Sequence, residues 1–242
     1  MPVERIDKIV ASICGISRKD AKQLIKLGNV MVDNIAISDC NSKISTDKIV
    51  SVNGLEKNYS KYVYIMMNKP SGVLSASNDK TRKTVVDLVL PTYNRNGLFP
   101  VGRLDKDTTG LLIITDDGDF GHKVISPKSM IEKEYVAQTD KPISDSDISL
   151  LEKGVTLADG TKCRPARVFL LNEERTEVGI VITEGKYHEI KRMLGVVGAG
   201  VNKLKRVKIG NLTLDKNLDN GEFRELTQHE LTDMLKLLKI VP

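Results

Sequence analysis

The sequence predicts an α+β fold in two parts. A small helix–turn–helix/strand module spans residues 1–60, and a larger domain spans 61–242. Three observations carry this. Helical apolar spacing gives way to short β-type runs within the first 60 residues. Beyond them, strand-like runs outnumber helical ones and are not regularly interleaved with them, which argues against a doubly wound sheet. Finally, 40% hydrophobic against 29% charged residues over 242 positions supplies a real core and excludes a disordered chain.

Taken in order, Ile6, Ile9, Val10 and Ile13 recur at helical spacing. Ser17-Arg18-Lys19-Asp20 has the form of a capping box and opens a second helix through Ala21, Leu24, Ile25 and Leu27, stopped by Gly28. Val30, Val32, Ile35 and Ile37 predict short strands about an Asp33-Asn34 turn, and 49–52 another strand before Asn53-Gly54. Residues 55–62 read as a polar linker. Strands are then expected at 62–68, 111–115, 135–139, 178–183 and 208–212. Helices are expected at 84–90 and at 227–238, the latter with Leu231, Met234, Leu235 and Leu238 on one side.

The 37 Lys and Arg against 32 Asp and Glu leave a net charge of +5, a weak pointer to an anionic partner. Its distribution says more. Arg18, Lys22 and Lys26 fall four residues apart on one helix face, fitting either a solvated face or a rail for phosphates. Between 186 and 208 the basic residues Lys186, Lys191, Arg192, Lys203, Lys205, Arg206 and Lys208 meet one acid, Glu189, and are expected to line a nucleic-acid track. No apolar run approaches the ~20 residues of a membrane span. The start lacks the apolar stretch of a signal peptide. Cys14, Cys40 and Cys163 form no CxxC pair, which points to a reducing cytoplasm without disulfides or zinc. His122 and His188 have no second ligand at metal spacing, so hydrogen-bonding roles and no metal are expected.

The stretch Gly102-Arg103-Leu104-Asp105-Lys106-Asp107-Thr108-Thr109-Gly110 runs directly into the apolar 111–115 strand. An acid in a loop before a core strand is rigidly held yet free to face a cleft. One reading takes 105–109 as DxDxT, the phosphoaspartate motif of Mg²⁺-dependent phosphatases. That fold needs an apolar strand directly before the motif, and Pro100, Gly102 and Arg103 interrupt it.

The longer string fits better. Leu98 to Asp105, then Thr108 to Thr115 and Asp117-Gly118, resembles "FPVGRLDxxTxGLLLLTNDG", the signature of the RsuA/RluB/E/F group of pseudouridine synthases. Lys69-Pro70-Ser71-Gly72 is similar to that family's "NKPxG" turn and Lys133-Glu134-Tyr135 to its "KxY" motif. Residues 184–194 resemble "EGRYHQVKRMF", with Glu189 standing where the family usually has Gln. Residues 17–33 resemble the S4 RNA-binding domain, which precedes the catalytic domain in this group. A non-catalytic S4 ribosome-binding factor is the remaining alternative.

The resemblance implies a largely antiparallel mixed sheet with flanking helices and a cleft across it. It also implies a cofactor-free isomerisation of uridine in ribosomal RNA. Asp105 maps onto the nucleophile, which adds to uracil C6 or to ribose C1′. Lys191 or Arg192 is the cation that keeps it ionised, since burial under a base raises a carboxyl pKa. Tyr135 is implied to stack the flipped base, Leu204 to pack under it and Arg103 to engage the RNA. Lys69, Arg192 and the helix residues Arg18, Lys22 and Lys26 complete the implied RNA contacts. The "KYHxxKRM" text is nearest the RsuA branch, implying small-subunit 16S rRNA or its assembly intermediate as partner and a cytoplasmic monomer.

Overall fold

The computed structural model describes residues 3–46, 48–57 and 59–240. It divides into two compact units, residues 1–63 with 89–98, and 64–88 with 99–242.

In the first unit, β1 (Val3–Arg5) leads into α1 (Ile6–Cys14) and α2 (Arg18–Lys26). Then come β2 (Val30–Val32), β3 (Ile35–Ala36), β4 (Lys43–Ser45), β5 (Val50–Val52) and β6 (Leu55–Lys57). The Ser17 hydroxyl caps α2 by accepting from the Asp20 amide, and it donates to the Asp20 carboxylate. Ile6, Ile9, Val10, Ala21 and Ile25 meet Val30, Val32, Val50 and Val52 in a closed core. The expected linker begins as a strand instead: β6 pairs with β5 across the Asn53-Gly54 turn. Asn58 of that linker lies outside the described residues.

The second unit holds β7 (Tyr64–Lys69), α3 (Val85–Tyr93, which runs on into the first unit's 89–98 segment), β8 (Phe99–Pro100), β9 (Thr109–Thr115), α4 (Gly118–Ile125) and β10 (Lys133–Thr139). These are followed by α5 (Asp145–Lys153), β11 (Arg167–Leu170), β12 (Glu177–Ile182) and α6 (Glu189–Val196). The chain closes with β13 (Val201–Ile209), β14 (Leu212–Thr213), β15 (Phe223–Glu225) and α7 (Gln228–Leu237). The sheet runs β11-β12-β10-β13-β9-β7-β15, with β14 on β13 and β8 on β9. Its pairings are antiparallel except β13 with β9, so the sheet is mixed and largely antiparallel, as expected. Met66, Leu111, Ile113 and Ile209 form one core with Phe120 and Val124 of α4 and Met234 of α7. A reciprocal capping box of Thr227 and Glu230 starts α7.

Two features position the site. Gly110 sits at φ +98°, and a Cβ there would lie 2.2 Å from the Arg206 carbonyl oxygen. Only glycine lets β9 approach β13 this closely, which brings the two strands together just beyond the Asp105 loop. The second feature is β13 itself, expected only from residue 208. It begins at Val201, and its alternation sends Lys203 and Lys205 outward while Leu204 and Arg206 are buried.

Candidate active site

Asp105 lies in the loop between β8 and β9, held by the segment that follows β7. The Leu104 amide donates to the Ser75 hydroxyl, which donates in turn to the Leu104 carbonyl. The Gly72 amide donates to the Lys106 carbonyl at 2.8 Å. Lys69 is fully buried, and its ammonium donates to the carbonyls of Pro70, Lys106 and Thr108. Burial pushes Lys69 down to about 8, while the Asp107 and Asp105 carboxylates pull it back. The expectation that Lys69 touches RNA is therefore corrected. Its three protons are spent inside the fold, shaping the loop that carries Asp105.

From the other side α6 and the residues before it supply cations. The Lys191 ammonium stands 3.4 Å from Asp105 Oδ2 and 2.6 Å from Asp107 Oδ1. Burial works against its charge, but the two carboxylates outweigh that and hold Lys191 above the usual lysine range. The Lys191 hydrogen bond holds Asp107 below the usual carboxylate range. Arg192 points elsewhere, to Asp159 at 2.5 Å, so of the two candidates Lys191 is the one beside Asp105. His188 was expected to be a structural residue. Instead its Nε2 faces Asp105 Oδ1 at 3.5 Å, and its ring stacks on Tyr187 with centroids 3.8 Å apart. No local pattern signals this, because the partner is far away in sequence.

Asp105 and His188 border a pocket of about 60 Å³ that is also lined by Arg103, Tyr135, Ile182 and Leu204 among others. Four residues expected at the site are thus brought together: Asp105 on the loop, Tyr135 on β10, Leu204 on β13 and Arg103 at the exposed rim. The expected basic track is broken up by pairing. Lys186 is bound to Glu184 and the Lys162 carbonyl, while Arg206 is buried and donates to the Leu111 carbonyl. Lys203 and Lys205 remain exposed.

In the first unit Arg18 makes two hydrogen bonds to Asp7, at 3.0 and 2.9 Å, and Lys22 approaches the same carboxylate at 3.9 Å. Arg18 of the expected rail is thus tied to an internal acid, though about half of it stays exposed. Lys26 is exposed.

In the pocket wall, burial pushes Glu189 up to about 7, and the hydrogen bond to Glu184 adds to this. One of its oxygens accepts from the Lys186 amide at 2.9 Å. Ligand atoms of Cys163, Glu184 and Glu189 gather within 4.8 Å, a grouping that sequence spacing did not reveal. The Lys186 ammonium already compensates Glu184 there at 2.7 Å.

A carboxylate at the mouth of a small, partly apolar pocket, with an ammonium beside it and a buried aromatic ring in its wall, can attack an electrophilic carbon of a bound heterocycle. An Mg²⁺ phosphatase would need a cation held between Asp105 and Asp107, and Lys191 stands there instead. The comparisons agree on the class. The RNA pseudouridylate synthase family profile matches residues 63–195. The chain is 39% identical over 233 residues to the ribosomal small subunit pseudouridine synthase A of Vibrio cholerae, covering 96% of this chain and 100% of that one. It is 37% identical over 234 residues to the ribosomal large subunit pseudouridine synthase B of Bacillus subtilis, covering 95% and 94%. A crystal structure of a pseudouridylate synthase superposes with a TM-score of 0.67 at 31% identity, covering 95% of this chain and 99% of that one. The chain belongs to the RNA pseudouridine synthase family and is an isomerase.

Proposed function

We propose that this enzyme converts one specific uridine of small-subunit 16S ribosomal RNA to pseudouridine, with Asp105 as nucleophile and no cofactor. The carrying observation is the Asp105 carboxylate at a pocket walled by Tyr135 and Leu204, with Lys191 at 3.4 Å. The target uridine leaves its stack and enters this pocket. Tyr135 stacks on the base, an interaction contributing about 1–3 kcal/mol, and Leu204 supports it from β13. Asp105 adds to uracil C6 or ribose C1′. The C1′–N1 bond breaks, the base turns and C5 bonds to C1′; the C5 proton leaves, N1 takes one up, and the bond that Asp105 made to C6 or C1′ breaks to release the carboxylate. Lys191 keeps the carboxylate charged as the base excludes water. Arg103, at the rim, fills the gap left by the flipped base or holds a phosphate.

The small-subunit assignment is supported by the Lys186-Tyr187-His188 and Lys191-Arg192-Met193 text and by the small-subunit enzyme among the relatives. A large-subunit enzyme of similar identity makes 23S RNA the control substrate. The first unit is proposed to act as an S4-type RNA-binding module through Lys26 and the exposed parts of Arg18 and Lys22. A monomer working in the cytoplasm fits this substrate, and no described helix is long and apolar enough to cross a membrane.

The test incubates the enzyme and Asp105→Asn with unmodified 16S and 23S transcripts in EDTA, mapping pseudouridine by carbodiimide treatment and primer extension. One new stop in 16S RNA, absent with the variant, is the expected result. A stop only in 23S RNA would overturn the substrate, and an equal stop with Asp105→Asn would overturn the nucleophile.

A further inference from the structure

A second cavity of about 120 Å³ adjoins the Asp105 pocket, sharing Arg103, Tyr135 and Gly185 with it but not Asp105. That volume is well above the ~10–15 Å³ that admits one water. Its rim is exposed at Arg103, Ile125, Pro127 and Gly185, while its deeper wall is formed by buried Val124, Lys133, Arg206 and Ile209. The cationic groups in that wall are under-used. Arg206 is 3% exposed; its Nε donates to the Leu111 carbonyl at 2.8 Å and its Nη1 reaches the Tyr135 hydroxyl at 3.4 Å, but its Nη2 has no partner. Lys133 is 9% exposed and donates to the Ile131 carbonyl at 3.0 Å. No carboxylate lines the cavity. Burial and the neighbouring Arg206 charge push Lys133 down to about 8, and the acid acting on it, Glu189, is itself raised to about 7 by burial.

Two buried cations facing a cavity that no carboxylate lines are costly unless something occupies the space. A buried guanidinium N–H left unpaired points to a missing acceptor. A neutral base edge would satisfy hydrogen bonds but leave the charge uncompensated. An oxyanion satisfies both, and the RNA chain carries one at every nucleotide.

We propose that this cavity is a subsite for one backbone phosphate of the RNA next to the target uridine, held by Lys133 and Arg206. The inference rests on reading the Asp105 pocket as the uridine site. The shared wall of Tyr135 and Arg103 then places the subsite beside the flipped nucleotide, and Arg206 links the two, since it also touches the Tyr135 hydroxyl.

Binding is measured in the Asp105→Asn background, which prevents turnover. The probe is an RNA fragment carrying the mapped uridine, with methylphosphonate replacing each flanking phosphate in turn. One replacement is expected to weaken binding about tenfold, the scale of a hydrogen bond to a charged group. With Lys133→Met added, that same replacement should matter less than about twofold. The Lys133→Met change should itself cost the unmodified fragment about tenfold and flatten the salt dependence by roughly one phosphate. Lys133→Arg should retain the interference and so separate a charge role from a packing role. A scan that Lys133→Met leaves unaltered, or that it weakens equally at every position, overturns the proposal. If no uridine is modified in either transcript, the functional reading fails separately. A titration with inorganic phosphate at fixed ionic strength, followed on the Arg206 Nε–H resonance, then decides the site. A saturable shift lost in Lys133→Met supports it, and no shift overturns it.

Discussion

Two aspartates, one in each compact unit, meet cations in opposite ways. Asp7 on α1 is fully buried, and Arg5 and Arg18 hydrogen-bond to it at 2.9 to 3.1 Å. Burial opposes its charge, yet the two guanidinium groups outweigh that and hold its carboxyl below the usual range. Asp105 remains about one-quarter exposed, and its neighbours Lys191 and His188 stand off at 3.4 and 3.5 Å while Lys191 bonds more closely to Asp107. A carboxylate whose lone pairs are all engaged is an anchor. One whose charge is supported at a distance, on a loop fixed by its backbone, keeps a lone pair free for an incoming carbon. The contrast lies in coordination, and residue type alone does not reveal it.

The largest effect that would break this contrast is at Asp105. Asp105→Asn is expected to lower kcat about 10³-fold or more, with the urea midpoint unchanged, because the residue carries little of the fold. A variant retaining a tenth of the activity would remove Asp105 as nucleophile. Next is the supporting charge. Lys191→Met should cost about 10²-fold in kcat, and Arg192→Met only a few-fold, since Arg192 pairs with Asp159. Comparable losses in single-turnover assays would remove the distinction between them.

At Asp7 the cost should appear as stability. Asp7→Ala leaves three cations around an apolar hole, and about 2 kcal/mol of local protection should be lost in α1 and α2, read by amide hydrogen exchange. This is less than for a fully buried pair because the arginines are half-exposed. A depressed acid pKa stabilises above the unfolded value of about 4, and that contribution fades as pH falls through the folded value. The variant should lack this acid-side loss.

The smallest effect sharpens the picture at Glu189. Its raised value of about 7 means the folded state keeps a proton that the unfolded chain releases near pH 4.5, so stability declines as pH rises through that window. Glu189→Gln should remove a decline on the order of 2 kcal/mol between pH 5 and 8, measured by urea unfolding. A parallel decline in the variant would place the proton elsewhere.

Much of the catalytic loop was legible because its signal is local. Asp105, the glycine before it and the apolar strand after it are contiguous, and Gly110 is explained by the β13 backbone it must accommodate. The rest depended on partners far along the chain. The Val201–Arg206 stretch reads as a basic run until pairing with β10 and β9 sorts its residues by face, sending Lys203 and Lys205 out and Leu204 and Arg206 in. His188 looked isolated because its partner is Asp105. Lys69 is expected at the RNA only through the resemblance of its turn to NKPxG, whereas its position at the end of a paired strand buries it. In the first unit the Arg18 spacing is visible, but Asp7, the acid on the preceding helix that captures it, has no local signature.

The sheet order carries one more consequence. The strand bearing Leu204 and Arg206 is inserted between β10 and β9, although both of those strands precede it in the chain. Until the ribosome has synthesised residues 201–209, the two halves of the sheet have open inner edges and nothing to join them. The nascent enzyme therefore carries its nucleophile, its loop clamp and its aromatic wall without a pocket, and gains the pocket only once β13 has been made. Such late closure by a central strand is slow and leaves strand edges exposed to other chains. A chain stopped short of β13 is a candidate for aggregation before it is a weak catalyst.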